Sequence, residues 1–271
     1  KMQRFEKGFA AVAFSGLSVL ASVRALGASE VADPSGPNGP RPAVARSQGF
    51  STLHGFVENK GQWPAEVLFF ARAGGIEATL VADAIVLRAI PDPETGAWPA
   101  PLILRLPRRC RVESEAPLPT RHHFFRGSGS ASDVRGYEHV VYVDVIPGVD
   151  LVFRTMTDLA TAKEVFAYDL LLAAGAKLED FVIAIEGATG PAVTANDRMT
   201  FQTSVGPLEQ RIGAAWQTDP RSGAQEPVAS RVRLIDAEDS VTGDSVKELV
   251  HFGFEAPNRD PSRPFVLDPG L

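Results

Sequence analysis

With 271 residues, a formal net charge of −6 and a single cysteine, the chain is long enough to bury a sizeable core without disulfides. Its acidity argues against a nucleic-acid partner, and Arg105, Arg108, Arg109 and Arg111 form only a local basic patch among prolines. Cys110, being alone, excludes an intramolecular disulfide, a CxxC metal knuckle and a thioredoxin-like pair, and with no histidine beside it reads as a partly buried bystander.

In chain order, residues 1–28 have the layout of a secretory signal peptide. Lys1, Arg4 and Lys7 stand against Glu6, an apolar run covers residues 8–23, and Ala25, Gly27 and Ala28 supply small side chains for cleavage. The run falls short of the ~20 apolar residues that a spanning helix needs, so no membrane span is expected after cleavage. The expected location is secreted or at the cell surface, with the periplasm as an alternative. Loss of the leader would take the net charge to about −9. Residues 29–50 interleave Pro34, Pro37, Pro40 and Pro42 with Gly36 and Gly39, a composition that reads as a linker.

Residues 51–271 read as a β-rich domain, either one unit or two lobes at 51–158 and 159–271, because 156–163 (MTDLATAK) lacks strand character. Short apolar or alternating runs separated by Gly, Pro, Asp and Asn predict strands at 67–72, 76–81, 84–90, 102–106, 122–125, 139–145 and 151–155. Further strands are predicted at 164–172, 181–186, 199–203, 214–217, 230–235, 248–254 and 265–267. No segment after the leader sustains a 3.6-residue apolar period. The expected fold is all-β, mainly antiparallel, with packed, sandwich-like sheets. No strand-turn-strand unit repeats at blade length, so the chain is not itself a propeller.

Within residues 164–172, Phe166, Tyr168, Leu170 and Leu172 share one face, and the smaller set that includes Asp169 shares the other. The larger set is expected in the core, with Asp169 facing away from it. Gly74-Gly75 is a hairpin signal. Pro147-Gly148 suits a type II turn, joining the strand that ends at Val145 to the one that starts at Leu151.

Several ordered motifs carry a resemblance. Residues 56–63 (FVENKGQW), 66–72 (EVLFFAR), 122–127 (HHFFRG), 142–153 (YVDVIPGVDLVF), 166–170 (FAYDL) followed by Gly175-Ala176, and 260–269 (DPSRPFVLDP) are the segments concerned. In these the chain resembles the N-terminal β-rich domain of unknown function found ahead of SBBP (seven-bladed β-propeller) repeats in secreted and cell-surface bacterial proteins. The resemblance spans about residues 55–271. It implies an extracellular structural or interaction module with a protein or glycan partner, no nucleic acid, no cofactor and no stated oligomeric state. That family runs on into its repeats where this sequence ends, so the chain is expected either to stand alone or to be part of a longer protein.

The candidate motif residues are Glu58, Asn59, Gly61, Trp63, Pro147, Gly148, Asp150, Tyr168, Asp169, Asp268 and Pro269, all read as structural; no catalytic, cofactor or metal residue is assigned. Trp63 with Asn59 and Gln62 has a functional alternative, a carbohydrate-stacking platform. The structural reading is that the ring is buried, Gly61 opens a tight turn, and Glu58 and Asn59 bond to the backbone. Asp144 and Asp150 flank the Pro-Gly turn, where a hydrolase carboxylate pair or a calcium site competes with simple turn capping. Adjacent His122 and His123 invite a metal reading, but neighbours on a strand point to opposite faces.

Overall fold

Along residues 163–172 the side chains of Phe166, Tyr168, Leu170 and Leu172 are buried, and Asp169 is only half-buried on the opposite face, as the alternation requires. The same two-residue period builds the rest of the chain. The computed structural model describes residues 53, 55–91, 94–126, 129–158, 162–194, 198–204, 206–210, 214–242 and 245–268. The expected signal peptide at 1–28 and linker at 29–50 lie outside the described residues.

Among the described residues, eighteen strands follow in order. The first nine are β1 (Phe56–Glu58), β2 (Phe69–Ala73), β3 (Ile76–Val81), β4 (Ala84–Ala89), β5 (Leu102–Arg105), β6 (Arg111–Arg126), β7 (Gly129–Ile146), β8 (Val149–Asp158) and β9 (Lys163–Leu172). A 3-10 turn at Leu178–Asp180 leads to β10 (Val182–Glu186), β11 (Ala188–Val193), β12 (Met199–Thr203), β13 (Gly206–Gln210) and β14 (Ala214–Thr218). The last four are β15 (Gln225–Pro227), β16 (Arg231–Thr242), β17 (Ser245–Glu255) and β18 (Phe265–Asp268). The protein is all-β, as expected.

Fifteen strands form one antiparallel sheet, and β11, β12 and β13 form a small second one. The long strand β7 is where the large sheet forks. Its first edge carries β6 from Arg126↔Gly129 to Arg111↔Val143. Its other edge carries β8 between His139 and Ile146, then β1 at Gly136 and Tyr137. One arm continues β8-β9-β18-β14-β15 and the other β1-β2-β3-β4-β5-β10-β17-β16. The arms do not close into a barrel; they face each other over a shared core. Phe56 of β1 meets Phe153 of β8 edge-on at 5.6 Å and Phe166 of β9 at 6.2 Å. The Tyr142 hydroxyl, from β7, donates to the Ala84 carbonyl of β4 at 3.3 Å. Met199 and Phe201 of the small sheet are buried in this same core. The core draws on both sides of the residue 158/159 division, and β8 and β9 pair across it down to Asp158↔Lys163.

The main departure from expectation is β6. Only 122–125 of it was expected as strand, with the Pro- and Arg-rich residues before it unplaced, yet 111–126 forms one strand. Long pairing with β7 supplies the ladder, and the register shift between Pro117 and Arg121 absorbs both prolines, with a second shift at His122/Phe124. An edge strand with one neighbour shows little apolar alternation to read. The same reason hid β11, β13 and β15.

At Gly74-Gly75 the β2–β3 turn has two central residues, both at positive φ (55° and 83°), as a type I′ hairpin demands. Gly74 is also where the two arms touch: a Cβ there would lie 2.6 Å from the Glu164 carbonyl oxygen, whereas the nearest atom to one at Gly75 is 4.0 Å away. Gly74→Ala is therefore expected to cost about 2–3 kcal/mol and Gly75→Ala only about 1 kcal/mol, the latter being the positive-φ strain alone. Urea denaturation of both variants checks the difference.

Candidate functional site

β1 hands the chain to a loop that one side chain organises. Asn59 Nδ2 donates to the carbonyls of Trp63 (3.2 Å), Pro64 (2.8 Å) and Val67 (2.7 Å). Its Oδ1 accepts from the N–H groups of Gly61 (2.9 Å) and Trp63 (3.3 Å). Gln62 closes the same loop, donating from Nε2 to the Glu58 carbonyl at 2.6 Å and accepting the Lys60 N–H on Oε1 at 2.7 Å. Gly61 sits at φ 100° within it.

Glu58 and Lys60 then tie this loop to β7. Glu58 Oε1 accepts the Arg135 N–H at 2.9 Å, just beyond the last backbone pair Val57↔Gly136, and Tyr137 Oη donates to Oε2 at 3.4 Å. Lys60 Nζ donates to the Asp133 carbonyl at 2.7 Å and pairs with Glu58 at 3.1 Å.

Above this polar knot lies a second, small core. Val57, Ala131 and Val134 are buried there, with Leu53, Trp63 and Phe124 packed against them. The Trp63 ring stacks on Phe70 at 5.1 Å and takes the Phe124 ring at 5.3 Å in an edge contact. Through these contacts Trp63 holds the β6–β7 ribbon down on β1 and β2. The ribbon's other face is open. His122 and Phe124 turn inward while His123 and Phe125 turn outward, their rings stacked at 6.4 Å and 10°. Phe125 is 79% exposed.

The expected separation of His122 from His123 is therefore present, the first buried and the second exposed. Among the described residues no three His, Cys, Asp or Glu side chains gather as they would around a metal ion.

Asp144 and Asp150 do come together, across the β7–β8 turn. Asp150 Oδ1 accepts the Asp144 N–H at 2.7 Å, and Asp144 Oδ1 accepts the Gly148 N–H at 3.0 Å. Gly148 supplies φ 77° where the turn needs it. Burial pushes the Asp150 carboxyl up, the Asp144 N–H opposes it, and the Asp144 charge adds to the rise. What the pair does in this geometry is cap backbone in a bulged turn.

Tyr168 and Asp169 split across β9. Tyr168 is buried and donates its hydroxyl to Gln210 Oε1 at 3.1 Å, and burial holds its phenol well above the usual range. Asp169 takes a two-pronged grip from Arg154 at 2.8 and 3.0 Å, and Arg154 also reaches Asp268 at 3.3 Å. Pro269 lies outside the described residues. Sequence reading missed Arg154, although an arginine on the outward face of a strand one hairpin away from Asp169 was a readable sign of a diagonal cross-strand pair.

The motif segments converge in space. The Gly175 N–H donates to the Pro261 carbonyl at 2.7 Å, Arg259 donates to the Ala176 carbonyl at 2.8 Å, and a Cβ on Gly148 would lie 3.2 Å from Ala176. Asp260 in turn accepts from the Ser262 hydroxyl and N–H at 2.7 and 2.9 Å, which hold its carboxyl below the usual range. The Pro-Gly turn, the Gly175-Ala176 corner and the closing segment form one junction.

The fold that these segments share is all-β, a large antiparallel sheet with a small second one. Residues 106–270 match the model of the family described as Domain of unknown function (DUF7948), and the chain belongs to that family. The match includes the HHFFRG, Pro-Gly turn and closing segments but begins after residues 56–63. Those earlier residues are nonetheless built into the same sheet, since β1 pairs with β7 and β5 with β10. Comparisons with curated proteins and with solved structures return no match. No helix among the described residues is long and apolar enough to cross a membrane.

Proposed function

We propose that this chain is a non-enzymatic structural and interaction module of a secreted or cell-surface protein, of the type that precedes β-propeller repeats. One observation carries the reading: the polar motif residues are spent on scaffold bonds, and the ribbon they brace presents an aromatic pair outward. Asn59, Gln62 and Glu58 all bond to backbone groups, while Phe125 stands 79% exposed beside His123. An exposed aromatic on a paired strand is the kind of anchor on which protein contacts concentrate. The basic-apolar-small layout of residues 1–28 supports export.

The test has two arms, both in the source organism. Protease treatment of intact cells should remove the tagged protein, and protection from the protease would overturn the assignment to the outside. A photo-crosslinking side chain in place of Phe125 should yield a discrete protein adduct, while the same group in place of exposed Glu66 yields none. Equal labelling from both positions, or none from either, would overturn the ribbon as the contact. Phe125→Ser should shift stability by no more than ~0.5 kcal/mol, because the ring packs on little besides His123.

A further inference from the structure

The closing strand β18 is held by more than its ladder. It pairs with β9 from Phe265↔Leu172 to Leu267↔Leu170 and with β14 as far as Ala214↔Asp268. It carries Phe265 and Leu267, both in the main core. At its end, Arg154 of β8 reaches two carboxylates at once. Nε and Nη2 donate to Asp169 at 2.8 and 3.0 Å, and the same Nη2 donates to Asp268 at 3.3 Å. The three side chains are 25%, 14% and 29% exposed.

One cation against two anions leaves a net negative charge partly withdrawn from water, which a single proton relieves. Burial, then the charge of Asp169, push the Asp268 carboxyl up to about 6, with Arg154 opposing. Burial works against the Arg154 cation, but its hydrogen bond to Asp169 and the charges of Asp169 and Asp268 more than offset this, so it stays charged. From β14 the facing residue is Ala214, so among the described residues the charged groups at Asp268 are Arg154 on β8 and Asp169 on β9.

We propose that Arg154, Asp169 and Asp268 form a proton-operated clasp on the last strand. With one proton between the two carboxylates, β18 is tied to β9 by a hydrogen bond as well as by the guanidinium. Without it, two like charges face each other and the end of the strand loosens. The sign follows from linkage. Asp268 has a higher pKa in the folded state than in the unfolded one, so its contribution to stability is full below about pH 4 and is lost as pH rises through about 6. This clasp stands independently of where the protein resides or what it contacts.

Thermal melts of the full chain between pH 5 and pH 7.5 test it, beside Asp268→Asn, which keeps the shape of the protonated group. The wild type should lose on the order of 4 °C across that window relative to the variant. At pH 7.5 the variant should match or exceed the wild type, and amide exchange at 265–268, corrected for intrinsic rate, should quicken with pH in the wild type only. A carbon-detected NMR titration of Asp268 in the wild type needs no variant to fold, and its midpoint should lie near 6. Parallel melting profiles for wild type and variant, or an Asp268 midpoint near 4, would overturn the clasp.

Discussion

Asn59→Ala should cost about 3 kcal/mol, a large effect for a half-buried polar side chain. Asn59 engages five backbone groups: its two Nδ2 hydrogens are shared among three carbonyls, and Oδ1 accepts from two N–H groups, about four bonds' worth. At a net worth of about 0.5–1.5 kcal/mol each, with water recovering part of the exposed ones, that total follows. The informative partner is Asn59→Asp. The carboxylate still accepts from Gly61 and Trp63 but turns an oxygen toward three carbonyls, so it should be at least as damaging as alanine near neutral pH. Guanidinium denaturation measures both. If aspartate restores most of the stability, the carbonyl half of the network is dispensable and the account of this loop is wrong. Amide exchange should quicken first in residues 59–68 and in the ribbon at 121–135, because Trp63 holds that ribbon from the same loop.

The largest single loss is expected at Phe153. Its side chain is fully buried, stacked on Phe166 at 5.3 Å and edge-on to Phe56 at 5.6 Å. Removing a ring from such a site takes away its burial and leaves a cavity, together about 4 kcal/mol for Phe153→Ala. Phe153→Leu keeps much of the volume and should lose roughly 1–1.5 kcal/mol. The position also reports on cooperativity. Phe56 belongs to one arm of the forked sheet, and Phe153 and Phe166 to the other. A shared core predicts that Phe153→Ala lowers the midpoint of one transition seen alike by fluorescence and circular dichroism. Two separated transitions would mean that the two arms unfold independently.

Much of this architecture is legible in the sequence. Residues 76–81 and 199–203 were expected as strands and are strands with those bounds. The face assignment in 164–172 was readable because a central strand buried on one side must alternate. Gly74-Gly75 and Pro147-Gly148 were readable because few residues accept positive φ. Most of β6 was not legible, since an edge strand with one neighbour and two prolines has little period to detect and depends on β7 for its conformation. Of the candidate site, the segment 56–63 was legible as a motif, but Arg154 and the connections were not. Nothing local to Asn59 says that its amide gathers carbonyls from as far as Val67, nor that Glu58 will bond to Arg135.

What the sequence by itself determined is the class of structure: short alternating runs, turn glycines and ordered motifs suffice for an all-β chain. Only the tertiary structure decided that β7 forks the sheet, that Phe56, Phe153 and Phe166 share one core, and that Asp169 and Asp268 share one arginine. The physical reason is distance along the chain. Alternation and turn chemistry act over a few residues, whereas Arg154 and Asp268 meet only because β9 lies between β8 and β18 in the sheet. Strand order is set by which faces can be buried together, a property of the whole chain that no local pattern contains.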